Sequence, residues 1–353
     1  MKTRANPRAQ HRKPTMSDVA KLAGVGTMTV SRVLSGTAKV SETTAQRVRL
    51  AVEHLQYRPN ELARAFRGQQ SRTIGLIVPY LYDSFFAQCA HAIARVVKEH
   101  GYSMILTTSD ESPEAEFEAA EKMLERHVDG IVLIPASEHE GQSRLTREFF
   151  GRTPVVAFDR PMQDASLDVV LVQNTAGARR MVEHLIEHGR QNIAFMGLSR
   201  SLYTINARFL GYRQAIREAG LQEDAFFGCT SLEATQQALL ERLNGPNPPA
   251  AIFTSNNLAT RFVFAALNNL GVKVPAELAL AGFDDFDLAE MTSPTLTVVR
   301  QPAQEMGRVA INLLFERIQR SEVTQTGNRT VLPVELVLRR SCGCKHRTPV
   351  VVR

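Results

Sequence analysis

Thr15-Met16-Ser17-Asp18-Val19-Ala20-Lys21-Leu22-Ala23-Gly24-Val25-Gly26-Thr27-Met28-Thr29-Val30-Ser31-Arg32-Val33-Leu34 is the stretch from which the rest of the chain can be read. Thr15 and Asp18 have the spacing of an N-cap and its reciprocal acidic partner, and Val19, Ala20, Leu22 and Ala23 follow at helical intervals. Gly24 stops this helix, since glycine takes the left-handed conformation without steric cost. Beyond the turn Gly24-Val25-Gly26 a second helix is expected from Thr27 to about Leu34, with Val30, Val33 and Leu34 inward, and Gly36 ends it. Ser41 can cap a third helix, Glu42 to Leu55, burying Ala45, Val48, Ala51, Val52 and Leu55. Three short helices with a tight glycine turn between the first two predict a helix-turn-helix. The outer face of the second helix carries Thr27, Met28, Thr29, Ser31 and Arg32 near its N-terminus, the end that meets base edges in a major groove. Thr29 and Ser31 also suit phosphate contacts, which fix register without reading sequence. A three-helix bundle with an ordinary polar face is the alternative.

Charge supports a polyanionic partner for this segment. The 353-residue chain has a formal net charge of +6, but residues 1–70 hold 13 Lys and Arg against 4 Asp and Glu, and the remainder holds 29 against 32. Residues 1–14 are basic and patternless and read as a flexible arm. With 44% hydrophobic and 22% charged residues, the whole is a soluble globular chain of two or three domains. No apolar run approaches the roughly 20 residues that span a bilayer. The basic start lacks the apolar segment of a secretory signal. The dispersed cysteines Cys89, Cys229, Cys342 and Cys344 fit a reducing cytoplasm.

The N-terminal residues resemble the headpiece of the lactose/galactose repressor family of bacterial transcriptional regulators. The resemblance is carried by Asp18-Val19-Ala20, Ala23-Gly24-Val25, Thr29-Val30-Ser31-Arg32-Val33-Leu34, Val40-Ser41, Thr44, Arg47-Val48, Tyr57, Pro59-Asn60 and Ala63-Arg64, without a gap. It implies that Thr27 and Met28 set sequence specificity, that Arg32 touches a base, that Thr29 and Ser31 anchor phosphates, and that Asn60 lies beside the backbone. It further implies a hinge helix that forms on DNA, with Phe66 as a minor-groove wedge where relatives carry leucine. Gly26 stands where the family prefers a serine cap, a change worth a few tenths of a kcal/mol.

From Thr73 the grammar changes. Apolar runs at Thr73–Pro79, Ser103–Leu106, Gly130–Ile134, Val155–Phe158, Ile193–Met196, Ala250–Phe253 and Leu278–Ala281 alternate with helical stretches. These are Phe86–His100, Ala115–His127, Thr175–His188, Gly211–Ala219, Leu232–Leu243 and Ala259–Leu270. Such alternation predicts parallel sheets with helices on both faces, split into two α/β lobes. Ligands of such folds sit at the C-terminal ends of strands. Asp83, Asp159, Asn256, Asp284 and Gln301 are placed at those ends, Arg208 just before a helix, and Phe85 and Phe86 beside Asp83. Acidic and amide groups with an arginine and an aromatic suit a polyhydroxylated ligand.

The resemblance continues in Phe158-Asp159-Arg160-Pro161, Arg208 before Gly211-Tyr212, Ser255-Asn256-Asn257, Gly282-Phe283-Asp284-Asp285 and Leu296-Thr297 with Gln301. It implies a periplasmic-binding-protein-like pair of subdomains joined by three crossovers, with an effector in the cleft. Asn257 stands where an aspartate is usual. The implied organisation is an arm (1–14), a headpiece (15–59), a hinge helix and linker (60–71), and an effector-binding and dimerisation domain (72–340) before a tail (341–353). Within the large domain the N-subdomain takes about 72–171 and 301–328, and the C-subdomain about 172–300 and 329–340.

No enzyme motif competes. Gly24-x-Gly26 lacks the third glycine and the preceding strand of a dinucleotide fingerprint, and no P-loop, nucleophile elbow or HExxH is present. Cys342, Cys344 and His346 offer three ligands in five residues and read as an incidental, solvent-facing tail, so no metal or cofactor is expected. A sugar-processing α/β enzyme and a solute-binding protein are the alternative readings. The expectation is a cytoplasmic, homodimeric repressor that binds double-stranded operator DNA and answers to a small molecule, with no membrane partner. Arg208 suits a hydroxyl pair or a carboxylate, Arg160 adds positive charge at the rim, and Met28–Arg32 resembles gluconate-type repressors, which points to a sugar acid first, a neutral sugar second and a nucleobase last.

Overall fold

The computed structural model describes residues 14–35, 40–57, 71–136, 144–320, 327–344 and 350–352. Its contacts divide the chain between Ser71 and Arg72.

The first unit holds α1 (Met16–Ala23), α2 (Thr27–Ser35) and α3 (Glu42–His54). Helix α1 starts at a complete capping box. Asp18 N–H donates to Thr15 Oγ1 at 3.4 Å, and Thr15 N–H donates to Asp18 Oδ2 at 2.8 Å. It ends at Gly24, whose φ of 64° is left-handed. Gly26 has no side chain to cap α2, but its carbonyl accepts from Thr29 and Val30. Ser41 Oγ caps α3 by accepting from Thr44 N–H. Val19, Val30 and Val48 are fully buried, and Ala20, Ala23, Ala51 and Tyr57 complete the core between the helices. The expected hinge helix, with Asn60 and Phe66, and the arm before Pro14 lie outside the described residues.

The second unit has two lobes. The first contains β1 (Thr73–Val78), α4 (Ser84–Glu99), β2 (Ser103–Thr108), α5 (Pro113–Glu125), β3 (Gly130–Leu133), α6 (Arg147–Phe150), β4 (Val155–Phe158) and β5 (Asp168–Val172). The second contains α7 (Asn174–Glu187), β6 (Ile193–Gly197), α8 (Tyr203–Glu218), β7 (Asp224–Phe227), α9 (Leu232–Leu243) and β8 (Ala251–Thr254). It continues with α10 (Asn257–Asn269), β9 (Ala279–Phe283), α11 (Leu288–Met291) and β10 (Thr297–Arg300). Helix α12 (Ala303–Arg320) and β11 (Arg329–Leu332) return to the first lobe, and β12 (Val334–Val337) and β13 (Val350–Val352) close the second.

The strand orders are β11-β5-β4-β3-β1-β2 and β13-β12-β10-β9-β8-β6-β7. The first sheet is parallel throughout, and in the second only β12 is reversed, pairing antiparallel with β10 on one side and with β13 on the other. Parallel strands covered on both faces need continuous apolar runs rather than alternation. The fully buried stretches Val155–Phe158, Ile193–Gly197 and Ala279–Phe283 have that character. The chain passes between lobes at Gln173, at Gln301-Pro302 and at Pro333.

Two boundaries differ from expectation. Arg329–Leu332, placed in the second lobe by the sequence, pairs with β5 in the first. Buried Asp168 fixes that choice: its carboxylate grips Arg317 of α12 at 2.6 and 2.7 Å and accepts from Asn328 N–H at 2.7 Å. The supposed tail is also part of the second lobe. Ser341 is fully buried, donates to Leu280 O at 2.6 Å and accepts from Thr297 N–H at 2.8 Å, which stitches β9 to β10. Cys342 is buried beneath it, and Val350–Val352 forms the last strand of the sheet.

Candidate functional site

The strand ends of both lobes converge on one cavity of about 200 Å³. Asp83, Phe85, Phe86, Asp159, Arg208, Asn256, Asp284 and Gln301 all line it. Asp83 is the N-cap of α4, accepting from Phe85 N–H at 2.9 Å. Its carboxylate also accepts from Asn257 Nδ2 of the other lobe at 2.8 Å, so the residue that replaces the usual aspartate clasps the two lobes. Phe85 and Phe86 occupy the first turn of α4, edge to face with ring centroids 5.4 Å apart. Asn256 caps α10 through Ala259 N–H and borders the cavity from there.

Arg208 does not precede a helix, as expected, but lies inside α8, which begins at Tyr203. Only 2% exposed, it donates from Nε to Asn174 at 2.8 Å, and from Nη1 to Ser255 O at 2.8 Å and to Asp284 Oδ2 at 3.0 Å. Its guanidinium lies 3.8 Å from the ring centroid of Phe283. The close approach of α8 to α7 depends on Gly211, where a Cβ would collide with Thr175 O. Gln301 Nε2 donates to the other oxygen of Asp284 at 2.6 Å. Asp284 and Asp159 both adopt left-handed backbone, with φ of 72° and 66°. That conformation is tolerated by aspartate and turns each carboxylate back over its strand end.

Arg160 is committed to Glu111 at 2.5 and 2.7 Å and to Pro135 O at 3.1 Å, leaving Asp159 at 3.5 Å from Arg160 Nε. Burial therefore dominates at Asp159 and pushes its carboxyl up to about 6, against the opposing pull of Arg160 and Arg208. Burial also raises Asp83, with help from the negative charge of Asp284. Across the cavity wall five carboxylates (Asp83, Glu111, Asp159, Asp284, Asp287) face three arginines (Arg160, Arg208, Arg261). Ser84 Oγ and Gln301 Oε1 are buried in that wall without a protein hydrogen-bond partner. Sequence reasoning missed Tyr80 and Tyr82, stacked at 4.9 Å after β1, and Glu111 after β2. The strand-end rule that found Asp83 would have found them, since each follows the C-terminus of a strand.

In the first unit α2 places Thr27, Met28 and Arg32 on its exposed side, with Thr29 and Ser31 half-buried. Met28 is 66% exposed.

Residues 15–60 match the family described as bacterial regulatory proteins, lacI family, and residues 182–342 match the periplasmic binding protein-like domain. The ribose operon repressor of Escherichia coli (strain K12) is 31% identical over 314 residues, which are 88% of this chain and 95% of that protein. The chain belongs to the lacI family of bacterial regulatory proteins. Among solved structures, the lac repressor dimer bound to operator and the anti-inducer ONPF is similar to this chain with a TM-score of 0.81 and 25% identity. That match covers 94% of this chain and 99% of the other. The complex of the transcriptional regulator CelR with cellobiose is 29% identical, with a TM-score of 0.68, over 93% of this chain and 99% of that one. No helix among the described residues is long and apolar enough to cross a membrane.

Proposed function

We propose that this lacI-family protein is a cytoplasmic, homodimeric repressor that binds operator DNA and releases it when a neutral sugar fills the cavity between its lobes. One observation carries the choice of ligand: both central arginines are already neutralised by carboxylates, and the wall as a whole is acidic. A further carboxylate on the ligand would add to that excess, whereas hydroxyls donate to Asp83 and Asp159 and satisfy Ser84 Oγ and Gln301 Oε1. Each buried polar atom left unpaired costs about 1–3 kcal/mol, so such atoms favour a hydroxylated occupant. The phenylalanines supply an apolar surface for one face of a sugar ring. The gluconate expectation rests on a resemblance in α2, which lies in the DNA-reading unit, and on the charge of Arg208 and Arg160, which Asp284 and Glu111 offset. One relative is named for a ribose operon and one similar structure holds cellobiose.

On DNA, two headpieces read a pseudo-palindromic operator through the major groove, with Thr27, Met28 and Arg32 at base edges and Thr29 and Ser31 at phosphates. Asn60 and Phe66 complete the contact at the backbone and the minor groove. Sugar and operator are coupled by a free energy typically of about 1–3 kcal/mol. The test pairs thermal shift with pentoses, hexoses, disaccharides and gluconate against operator binding by fluorescence anisotropy. A neutral sugar should both stabilise the protein and weaken operator binding. Stabilisation by gluconate alone would reverse the choice of ligand. Arg32→Ala should cost about 1–3 kcal/mol on operator and little on random DNA; equal loss on both would reduce Arg32 to a phosphate contact.

A further inference from the structure

Away from the cavity, the last turn of α7 meets the segment after β12. His184, Cys342 and Cys344 bring one ring nitrogen and two thiol sulfurs together, with all three ligand atoms within 4.8 Å of one another. His184 is 4% exposed, Cys342 1%, and Cys344 is half-buried. Residues two apart in an extended chain point to opposite sides. Here Gly343, at φ +80°, turns the backbone so that both sulfurs face the same way, 3.1 Å apart. A Cβ at Gly343 would also press on Arg190 Nη2 at 3.1 Å. All four cysteines are thiols rather than disulfides.

We propose that His184, Cys342 and Cys344 form a binding site for a thiophilic closed-shell cation of the Zn²⁺ type. The donor set is soft sulfur with imidazole, the combination that selects zinc over magnesium or calcium. Zinc–sulfur bonds of about 2.3 Å in a tetrahedral site place two sulfurs about 3.8 Å apart, which a small rotation of half-buried Cys344 achieves. The setting adds to the attraction. His184 lies in the last turn of α7, where the helix dipole favours positive charge, and Cys342 sits in the apolar core with Cys344 packed against it. Cys344 is the most exposed of the three ligands. Binding replaces two S–H bonds by two Zn–S bonds, so two protons leave for each ion bound.

The ion would staple the segment that leads into β13 onto α7. Asn174, at the other end of the same helix and about 15 Å away, holds Arg208 of the cavity. The staple makes thermal stability zinc-dependent without supplying a contact to sugar or operator.

The test is Co²⁺ titration of the reduced full-length protein, followed by Zn²⁺ displacement and determination of bound metal. One equivalent per chain should produce thiolate-to-cobalt charge transfer with the visible intensity of a tetrahedral site, and Zn²⁺ should abolish it and raise Tm. Cys344→Ser, at a half-buried position, should weaken binding by roughly tenfold or more, and Cys342→Ser/Cys344→Ser should remove the charge-transfer band. Failure to take up stoichiometric metal would overturn the site. So would binding that survives loss of both thiols, which would put the ion on the neighbouring His184, Glu187 and His188 group instead. A cobalt spectrum unchanged by His184→Gln, with the fold verified by circular dichroism, would equally exclude the proposed ligand set.

Discussion

Phe158-Asp159 in the first lobe and Phe283-Asp284 in the second are the same local structure used twice. Each follows the C-terminus of a parallel strand, each aspartate is left-handed, and each is nearly sealed from solvent. Their partners differ. Asp284 holds Arg208 at 3.0 Å and Gln301 at 2.6 Å, one on each oxygen. Asp159 has an arginine beside it in sequence, but Glu111 has taken that guanidinium, and Asp159 is left to the effect of burial. One backbone device thus yields a clamp in one lobe and, in the other, a carboxyl that burial pushes up to about 6. Which of the two an aspartate becomes is decided by residues far away in sequence.

The comparison can be broken most forcefully at the clamp. Arg208→Ala leaves the carboxylate of Asp284 buried without its cation and should lower unfolding stability in urea by about 3–5 kcal/mol, together with loss of the sugar response. Adding Asp284→Asn should restore part of that stability but not the response. No effect of Asp284→Asn in the Arg208→Ala background would remove the pair from the account.

At the other aspartate the sign is opposite to that of an ordinary salt-bridged carboxylate. The carboxyl of Asp159 is raised from 3.8 to about 6 in the folded state, so the fold binds the extra proton between those values. Its contribution to stability is greatest below about pH 4 and is lost as pH rises through about 6. Asp159→Asn cannot ionise and should gain on the wild type over that window, by on the order of 2–3 kcal/mol. Sugar hydroxyls that donate to the ionised carboxylate should make affinity rise with pH through about 6 in the wild type, and the variant should be flat. Calorimetry across pH 4.5–7.5 checks both, and a wild-type affinity independent of pH would detach Asp159 from the ligand.

Two smaller changes sharpen the contrast. Asn257→Asp sets a second carboxylate against Asp83 across the lobes and removes a hydrogen bond to a charged group, a loss of about 2 kcal/mol from the arrangement seen here. Small-angle scattering should then show a more open cavity once both carboxylates are ionised. Glu111→Gln releases Arg160 toward Asp159 and should shift the midpoint of pH-dependent sugar affinity down by about one unit. An unchanged midpoint would mean that Glu111 is not what keeps the two apart.

Local signals made much of this visible in sequence. The capping box at Thr15 and Asp18, the stop at Gly24 and the apolar runs at Val155–Phe158 and Ile193 onward are short-range patterns, and the elements follow them closely. The five residues expected at strand ends line one cavity together with Phe85, Phe86 and Arg208, because an α/β sheet carries its C-terminal ends to one edge. Helix α12 is absent from the expected alternation although Ala303, Met306, Gly307, Ala310, Ile311, Leu314 and Phe315 sit at intervals of three and four. That signal is local and sufficient. The lobe to which β11 belongs is another matter, since it follows from Asp168 meeting Arg317 and Asn328 across about 150 residues of chain. The same holds for the pairing of Glu111 with Arg160 and the arrival of His184 beside Cys342, neither of which any periodicity encodes.

The late return of the chain to both lobes has a consequence for biosynthesis. The first sheet lacks an edge strand until β11 is made, and α12, which packs against α4, comes only just before it. The second sheet waits for β12 and β13. Neither lobe can complete its hydrogen-bonded ladder until β11, β12 and β13 have been made, although the α1–α3 unit has all its core residues by Tyr57. Nascent chains should therefore carry a finished headpiece ahead of an unfinished body with open strand edges. That interval is when chaperone demand and aggregation risk should peak.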